Sequence, residues 1–288
     1  MQARRRTTVG FSGSGASRRA LRWALVDAAA TGQAVHVVAV DPPHRTDLRV
    51  PLRELLPSEA LALALAEELR RLPGRAPEVT TSAVTGTPHV ALLMAAATSE
   101  ALVLGVGRRV ASSGPGTGHV VRECVPHSPV PLVLVGPQAV VSPPRRLLLV
   151  SADDDAVATW ALQRAQTSAL QVRVLTTWSA RTRRHADPGG DHDAERRQRH
   201  LAAAERHQRA GQVVAPVARR SIRADITEGH LGDVLAHRVS VGDLVVVGGV
   251  DPHDVPLRTL RAPIVLVPAG TRTVVLPDVA DQRALQRS

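Results

Sequence analysis

At 288 residues the chain is long enough for two ordinary domains, and its 44% apolar and 22% charged residues exclude a disordered polymer. No apolar run reaches the ~18 residues of a membrane helix, and the basic start Gln2-Ala3-Arg4-Arg5-Arg6 leads into a short strand, so a cytoplasmic protein with no membrane partner is expected. The net charge of +10 rests wholly on arginine, which scatters over expected helix surfaces (Arg18, Arg19, Arg22, Arg70, Arg71, Arg196, Arg197) with no aromatics between to stack on bases, a pattern of solvated helix faces rather than of nucleic-acid binding.

Strands and helices alternate through the first half. Thr7 to Phe11 reads as a strand closed by Ser12-Gly13-Ser14-Gly15, which turns the chain into a helix from about Ser17 to Ala30. Leu21, Ala24, Leu25 and Ala28 share one face of that helix, and Arg18, Arg22 and Asp27 fall off it. Val35 to Val40 is apolar apart from His36, as for a strand covered on both faces, and Asp41-Pro42-Pro43 ends it. Ser58 opens a helix carrying Leu61, Leu65, Leu69 and Leu72. Glu78 to Thr85 returns as a strand, and Gly86-Thr87-Pro88 supplies a cap and an N-terminal proline for a helix expected to bury Val90, Leu93, Met94 and Ala97.

Ala101 to Leu104 is a short buried strand that runs into a loop holding Gly105, Gly107, Gly114, Gly116 and Gly118, followed by a short helix from about Gly118 and a last strand, Val130 to Val135. A strand, a loop of small residues and a helix start can hold a phosphate, because backbone N–H groups converge there with no side chains in the way; the same glycines also suit a flexible connector. The single Cys124 can form neither an internal disulfide nor a multi-cysteine metal site, and reads as a small buried residue near the end of the short helix.

The second half repeats these landmarks. Trp23-Ala24-Leu25 recurs as Trp160-Ala161-Leu162, and Val35-His36-Val37-Val38 as Val172-Arg173-Val174-Leu175, both displaced by 137 positions. Val84-Thr85 is matched with Ile226-Thr227, Leu102 to Gly105 with Val245 to Gly248, and Pro131 to Val135 with Pro263 to Val267. This order implies a tandem duplication linked near Ser142-Pro143-Pro144: residues 1–141, a second unit at 145–270, and a tail at 271–288 assigned to neither. Gly105 to Pro131 spans 26 positions but Gly248 to Pro263 only 15, so the second copy lacks the glycine loop; Gly249 to Asp254 is too short to wrap a phosphate chain.

The first strand with its turn (Val9-Gly10-Phe11-Ser12-Gly13-Ser14), Arg22-Trp23-Ala24 and the Leu102 to Val135 ending together resemble the universal stress protein family in its tandem form, from about Thr7 to Val267. The resemblance implies two Rossmann-like α/β units, each a parallel five-stranded sheet of order 3-2-1-4-5 with helices on both faces. It also implies pairing between last strands, here Val130 to Val135 with Ile264 to Val267, which would cover an apolar edge and give a pseudo-symmetric monomer or a homodimer.

Many members of that family bind ATP, and the implied positions transfer one by one. The aspartate after the first strand is Ser12 here, followed by Gly13, and Asp153 in the second half; the backbone against adenine would be Ala39 or Val40. The phosphate loop of Gly, two residues, Gly, nine residues, Gly and a hydroxyl falls on Gly105, Arg108, Gly118 and His119, with Gly107 and Gly116 between them. Ser12 removes a carboxylate acceptor, Arg108 adds bulk where a backbone should approach phosphate, and His119 is not a small hydroxyl. Neither half holds the full set.

For catalysis, Ser12 and Ser14 lack a nearby histidine and acid in sequence, and the loop lacks the Lys-Ser/Thr pair of a hydrolysing phosphate loop. Asp153-Asp154-Asp155 reads as a helix cap, and His185, His192, His200 and His207 as part of a solvated charged segment within 180–209, the first two in loop, the last two on one helix face, rather than as metal ligands. The reading is a non-enzymatic regulatory or stress-response protein, metal-free, with a degraded adenine-nucleotide site in its first repeat. The alternatives are a competent, slowly hydrolysing ATP-binding protein and a ligand-free scaffold whose basic surface meets an acidic protein partner.

Overall fold

The computed structural model describes residues 5–41, 56–107, 118–150, 155–179, 192–214, 223–248, 256–257 and 259–268. The Arg108 and Gly116 expectations, Asp153, His185, the segment Gly249 to Asp254 and the tail lie outside them.

The chain alternates β1 (Arg6–Phe11), α1 (Gly15–Thr31), β2 (Ala34–Asp41), α2 (Pro57–Arg70), β3 (Val79–Thr85), α3 (Pro88–Ala96), β4 (Ala101–Gly105), α4 (His119–His127) and β5 (Leu132–Val135). The second half continues with β6 (Arg146–Val150), α5 (Asp155–Thr167), β7 (Gln171–Trp178), α6 (His192–Val214), β8 (Arg223–Glu228), α7 (Leu231–Arg238), β9 (Asp243–Gly248) and β10 (Ile264–Val267). The two expected five-stranded sheets are one continuous sheet of ten strands, in the order β3-β2-β1-β4-β5-β10-β9-β6-β7-β8. Each half runs 3-2-1-4-5 from its outer edge inward and is parallel within itself; only the β5–β10 seam is antiparallel.

The central strands are continuous apolar runs because both sheet faces are covered. One face packs Val9, Val37, Val103, Leu147 and Val246 under α1, α2 and α5, and the other packs Leu102, Leu104, Leu134, Leu148 and Val247 under α3, α4 and α7. Each such side chain contributes about 1.5–3 kcal/mol of burial. Polar residues increase outward, and β3 and β8 are half-exposed edges. The seam removes what would otherwise be two apolar inner edges, β5 and β10, by pairing Leu132, Val133 and Leu134 with Leu266, Val265 and Ile264.

α1 follows its sequence closely. The Ser14 hydroxyl accepts the N–H of Ser17, and Gly32, in the left-handed region at φ 72°, ends the helix by donating its N–H to the Ala28 carbonyl. Leu21, Ala24, Leu25 and Ala28 are buried as expected, but so is Asp27, placed off that face by its spacing. The second half covers it: Arg164 of α5 reaches across and pairs with the Asp27 carboxylate.

The buried face of α3 also differs from expectation. Leu92 and Ala96 are buried, whereas Val90 and Met94 are 47% and 74% exposed and Ala97 is exposed too. In Pro-His-Val-Ala-Leu-Leu-Met-Ala-Ala almost every position is apolar, so periodicity cannot choose a face. The repeat register shifts by one residue at β8. Gly86 donates to the Asp41 carbonyl and Gly229 to that of Trp178, which aligns Val84-Thr85 with Thr227-Glu228 rather than with Ile226-Thr227.

His36 lies on β2 with Nε2 2.9 Å from the Ser82 hydroxyl. Burial, then the nearby Arg6 charge, lowers its pKa; burial also lowers His207, which lies 2.9 Å from the Thr176 hydroxyl, against an opposing pull from Asp225. The unfolded imidazoles take up protons near pH about 6.5 and the folded ones only below that, so this stability is full above about 6.5 and is lost as pH falls through the folded values. The urea midpoint should therefore drop between about pH 7 and pH 5.5, and His36→Gln should flatten part of that slope. A midpoint independent of pH across the range would contradict the assignment.

Candidate functional site

In a parallel sheet wound this way, ligands gather where strand order reverses, outside the carboxyl ends of the strands. In the first half that point lies between β1 and β4, which pair directly through Thr7–Ala101, Thr8–Leu102 and Val9–Val103. Ser12 and Gly13 follow β1, and Gly105 and Gly107 end β4, so the fold brings these four expected residues to one crevice. α1, α3 and α4 all start at this edge of the sheet, presenting their positive ends there.

Gly13 lies in the left-handed region at φ 76°, which lets the chain turn from β1 into α1. The turn satisfies itself: the Ser12 and Ser14 hydroxyls are 3.0 Å apart, and Ser14 also accepts from Ser17. A carboxylate here would project an anionic acceptor into the crevice; Ser12 presents a neutral hydroxyl. Among their described partners, neither serine meets a histidine or a carboxylate.

The glycines of the phosphate motif divide by physical cause. A Cβ on Gly105 would stand 2.1 Å from the Ala16 carbonyl oxygen, so this glycine is required by the first turn of α1 pressing on the end of β4. At its counterpart Gly248 a Cβ would meet a side-chain methyl, Cγ2 of Val157 on α5, at 2.2 Å. Gly107 and Gly118 face open space, and neither has a positive φ. The fold does not demand glycine at these two positions.

Ala39 and Val40 bury their side chains on opposite faces of the sheet, leaving only backbone to meet a ligand. The ladder from β2 to β1 ends at Phe11–Ala39, so Val40 lies beyond the last β1 partner, on the side of β2 that borders the crevice. Beside it Asp41, read from sequence only as the end of a strand, accepts from the Ser58 N–H at 3.1 Å and the Ser58 hydroxyl at 2.6 Å. Its carboxylate thus caps α2 from a distance. The signal was the pairing of a strand-terminal aspartate with the serine that opens the next helix.

Gly118 is the N-cap of α4 and His119 its first residue. The His119 ring lies edge-on to His89 of α3, with centroids 6.1 Å apart, and its Nδ1 is 3.5 Å from Glu123. Cys124, one residue further along α4, is fully buried, and burial followed by the Glu123 charge pushes its thiol up to about 11. It is no nucleophile at neutral pH.

In the second half the described part of the Arg/His-rich stretch, from residue 192 onward, lies in the long helix α6, with His192 at its start rather than in a loop. His200 and His207 both turn toward β7, one against the Trp178 ring and the other against Thr176. Among the described residues no group of three or more His, Cys, Asp or Glu is placed to hold a metal ion, and no helix is long and apolar enough to cross a membrane.

Residues 3–136 match the universal stress protein family. No curated protein matches the sequence. The chain is similar in structure to a universal stress protein from Archaeoglobus fulgidus DSM 4304, at 15% identity with a TM-score of 0.56, covering 92% of this chain and 98% of that one. A functionally unknown protein from Pseudomonas aeruginosa PAO1 is similar at 14% identity and a TM-score of 0.52, covering 93% and 94%. The β1 turn and the strand order agree with this match: residues 3–136 carry the match to the universal stress protein family, and the fold shared with these structures extends through both halves.

Proposed function

We propose that the protein is a non-enzymatic, cytoplasmic regulator built by tandem duplication, whose first half retains a weakened adenine-nucleotide site at the β1–β4 crevice. The observation that carries this reading is the closed Ser12–Ser14–Ser17 turn. It supplies a neutral hydroxyl where nucleotide-binding relatives are expected to offer ribose a carboxylate, and a charge-assisted hydrogen bond is worth roughly twice a neutral one. Asp41, at the end of β2, already accepts two hydrogen bonds from Ser58. His119, at the expected hydroxyl position, faces His89 and Glu123.

A second reading, a competent ATP-binding protein, is favoured by one observation: Gly107 and Gly118 are glycines without a packing reason, as positions kept clear for a phosphate chain would be. Calorimetric titration with ATP and Mg²⁺ separates the two. The proposed site gives weak binding, well above micromolar, that Gly118→Leu abolishes. Micromolar binding abolished by the same substitution supports the competent site, and no heat at any concentration refutes a nucleotide site altogether.

A further inference from the structure

The seam between the halves carries near-twofold symmetry. Val133 and Val265 are equivalent residues of the repeat and pair with each other, so the pseudo-twofold axis passes between them. On the face of the sheet that α1 and α5 cover, these two helices flank a cleft lined by Val133 and Val265 and by the equivalent tryptophans Trp23 and Trp160. Asp27 and Arg164 stand four residues beyond those tryptophans. They too are equivalent, displaced by the same 137 positions, and they form an ion pair with each side chain only 9% exposed.

A residue next to a twofold axis meets its own copy when two identical units pair. If the first half paired with a second first half in this geometry, Asp27 would face Asp27 in a site with little water to screen the repulsion; two second halves would set Arg164 against Arg164. Only the unlike pairing brings opposite charges together. Arg5 and Glu100, which also border the cleft, lie 3.8 Å from each other as a second opposite pair and leave Asp27 with Arg164 as its described partner.

We infer that Asp27 and Arg164 choose the pairing partner: the α1–β5 face of the first half takes a universal stress protein unit with a cation four residues after its helical tryptophan, and rejects a second copy of itself. The chain's own second half fulfils that requirement, and any other chain carrying the same tryptophan and arginine in that spacing would compete for the face. Duplication allowed the choice, since a homodimer cannot place unlike charges at one axial position.

The test uses the full chain in urea titrations and in mass measurements by light scattering. Asp27→Arg and Arg164→Asp should each lower the folding equilibrium constant roughly a hundredfold, and the double reversal should recover to within about tenfold of the original. Should the reversals fail to fold singly, the neutral cycle of Asp27→Asn and Arg164→Gln reads the same coupling, the double variant losing less than the two single losses combined. Selection itself is read by co-refolding the two single-reversal chains in equal amounts. Each then complements the other, giving a species of twice the 30.5 kDa chain mass that neither forms alone. Additive losses in both cycles overturn the proposal, and so does a recovering double variant whose single chains do not assemble on co-refolding, because the pair would then stabilise without selecting.

Discussion

Gly105→Ala is expected to destabilise the protein by about 3 kcal/mol, at the upper end of what overpacking usually costs. The added Cβ would stand 2.1 Å from the Ala16 carbonyl oxygen and 2.3 Å from its carbon, both backbone atoms, so no side-chain rotation can relieve the clash. Either α1 lifts from the sheet or β4 bends, and each loosens the crevice between β1 and β4. Gly107→Ala, two residues on and facing open space, should stay within about 0.5 kcal/mol of the parent protein. Urea denaturation reads both, as a lower midpoint at unchanged slope for Gly105→Ala alone. Equal midpoints for the two variants would mean that α1 does not press on β4, and the glycine at 105 would then need another explanation.

The second large loss is expected at the start of β9. Asp243 is 3% exposed, and its carboxylate accepts two hydrogen bonds from Arg146 of β6, each 2.7 Å, and a third at 2.7 Å from the Ser240 N–H. Hydrogen bonding to Asp243 in turn raises the Arg146 guanidinium pKa, against an opposing effect of burial and with help from the carboxylate's charge. Asp243→Ala leaves a guanidinium and a backbone N–H without their acceptor. Because the Arg146 side chain is 30% exposed, water offsets part of this, and the expected cost is about 2 kcal/mol rather than the full penalty of a stranded buried charge. Asp243→Glu should not restore it, since the three bonds are made at aspartate length. A denaturation midpoint for Asp243→Ala equal to that of the parent would show that the pair contributes nothing to the β6–β9 junction.

These two sites show what could be read from residues alone. The buried parallel strands were legible because they are written as runs such as Leu102-Val103-Leu104 and Val245-Val246-Val247, whereas their order and the pairing of Val130 to Val135 with Ile264 to Val267 came from the resemblance to the universal stress protein family, the two apolar edges supplying only the physical reason for the pairing. The face of α3 was not legible, because a helix apolar all round carries no phase. Asp27 was misplaced for a different reason. Its partner Arg164 lies 137 residues away on the other half, and a helix inspected alone shows only that aspartate is off the aliphatic stripe. At the crevice, residue identity located Ser12, Gly13, Gly105 and Gly107, but it did not separate Gly105, fixed by packing, from Gly107 and Gly118, which packing leaves free. That division is a matter of distances. Nor did it show that Asp41 is committed to Ser58, seventeen positions along the chain.

We propose that the fold of a nucleotide-binding ancestor persists here while its ligand contacts are weakened at Ser12 and Arg108. The measurement that addresses it most directly is the calorimetric affinity for ATP and Mg²⁺ of the double variant Ser12→Asp, Arg108→Gly against that of the parent chain. Restoring a carboxylate acceptor and removing the bulk in the loop should tighten binding by roughly tenfold or more, as a hydrogen bond to a charged group is worth about 1.5–3 kcal/mol. An affinity unchanged by the double substitution would contradict the account.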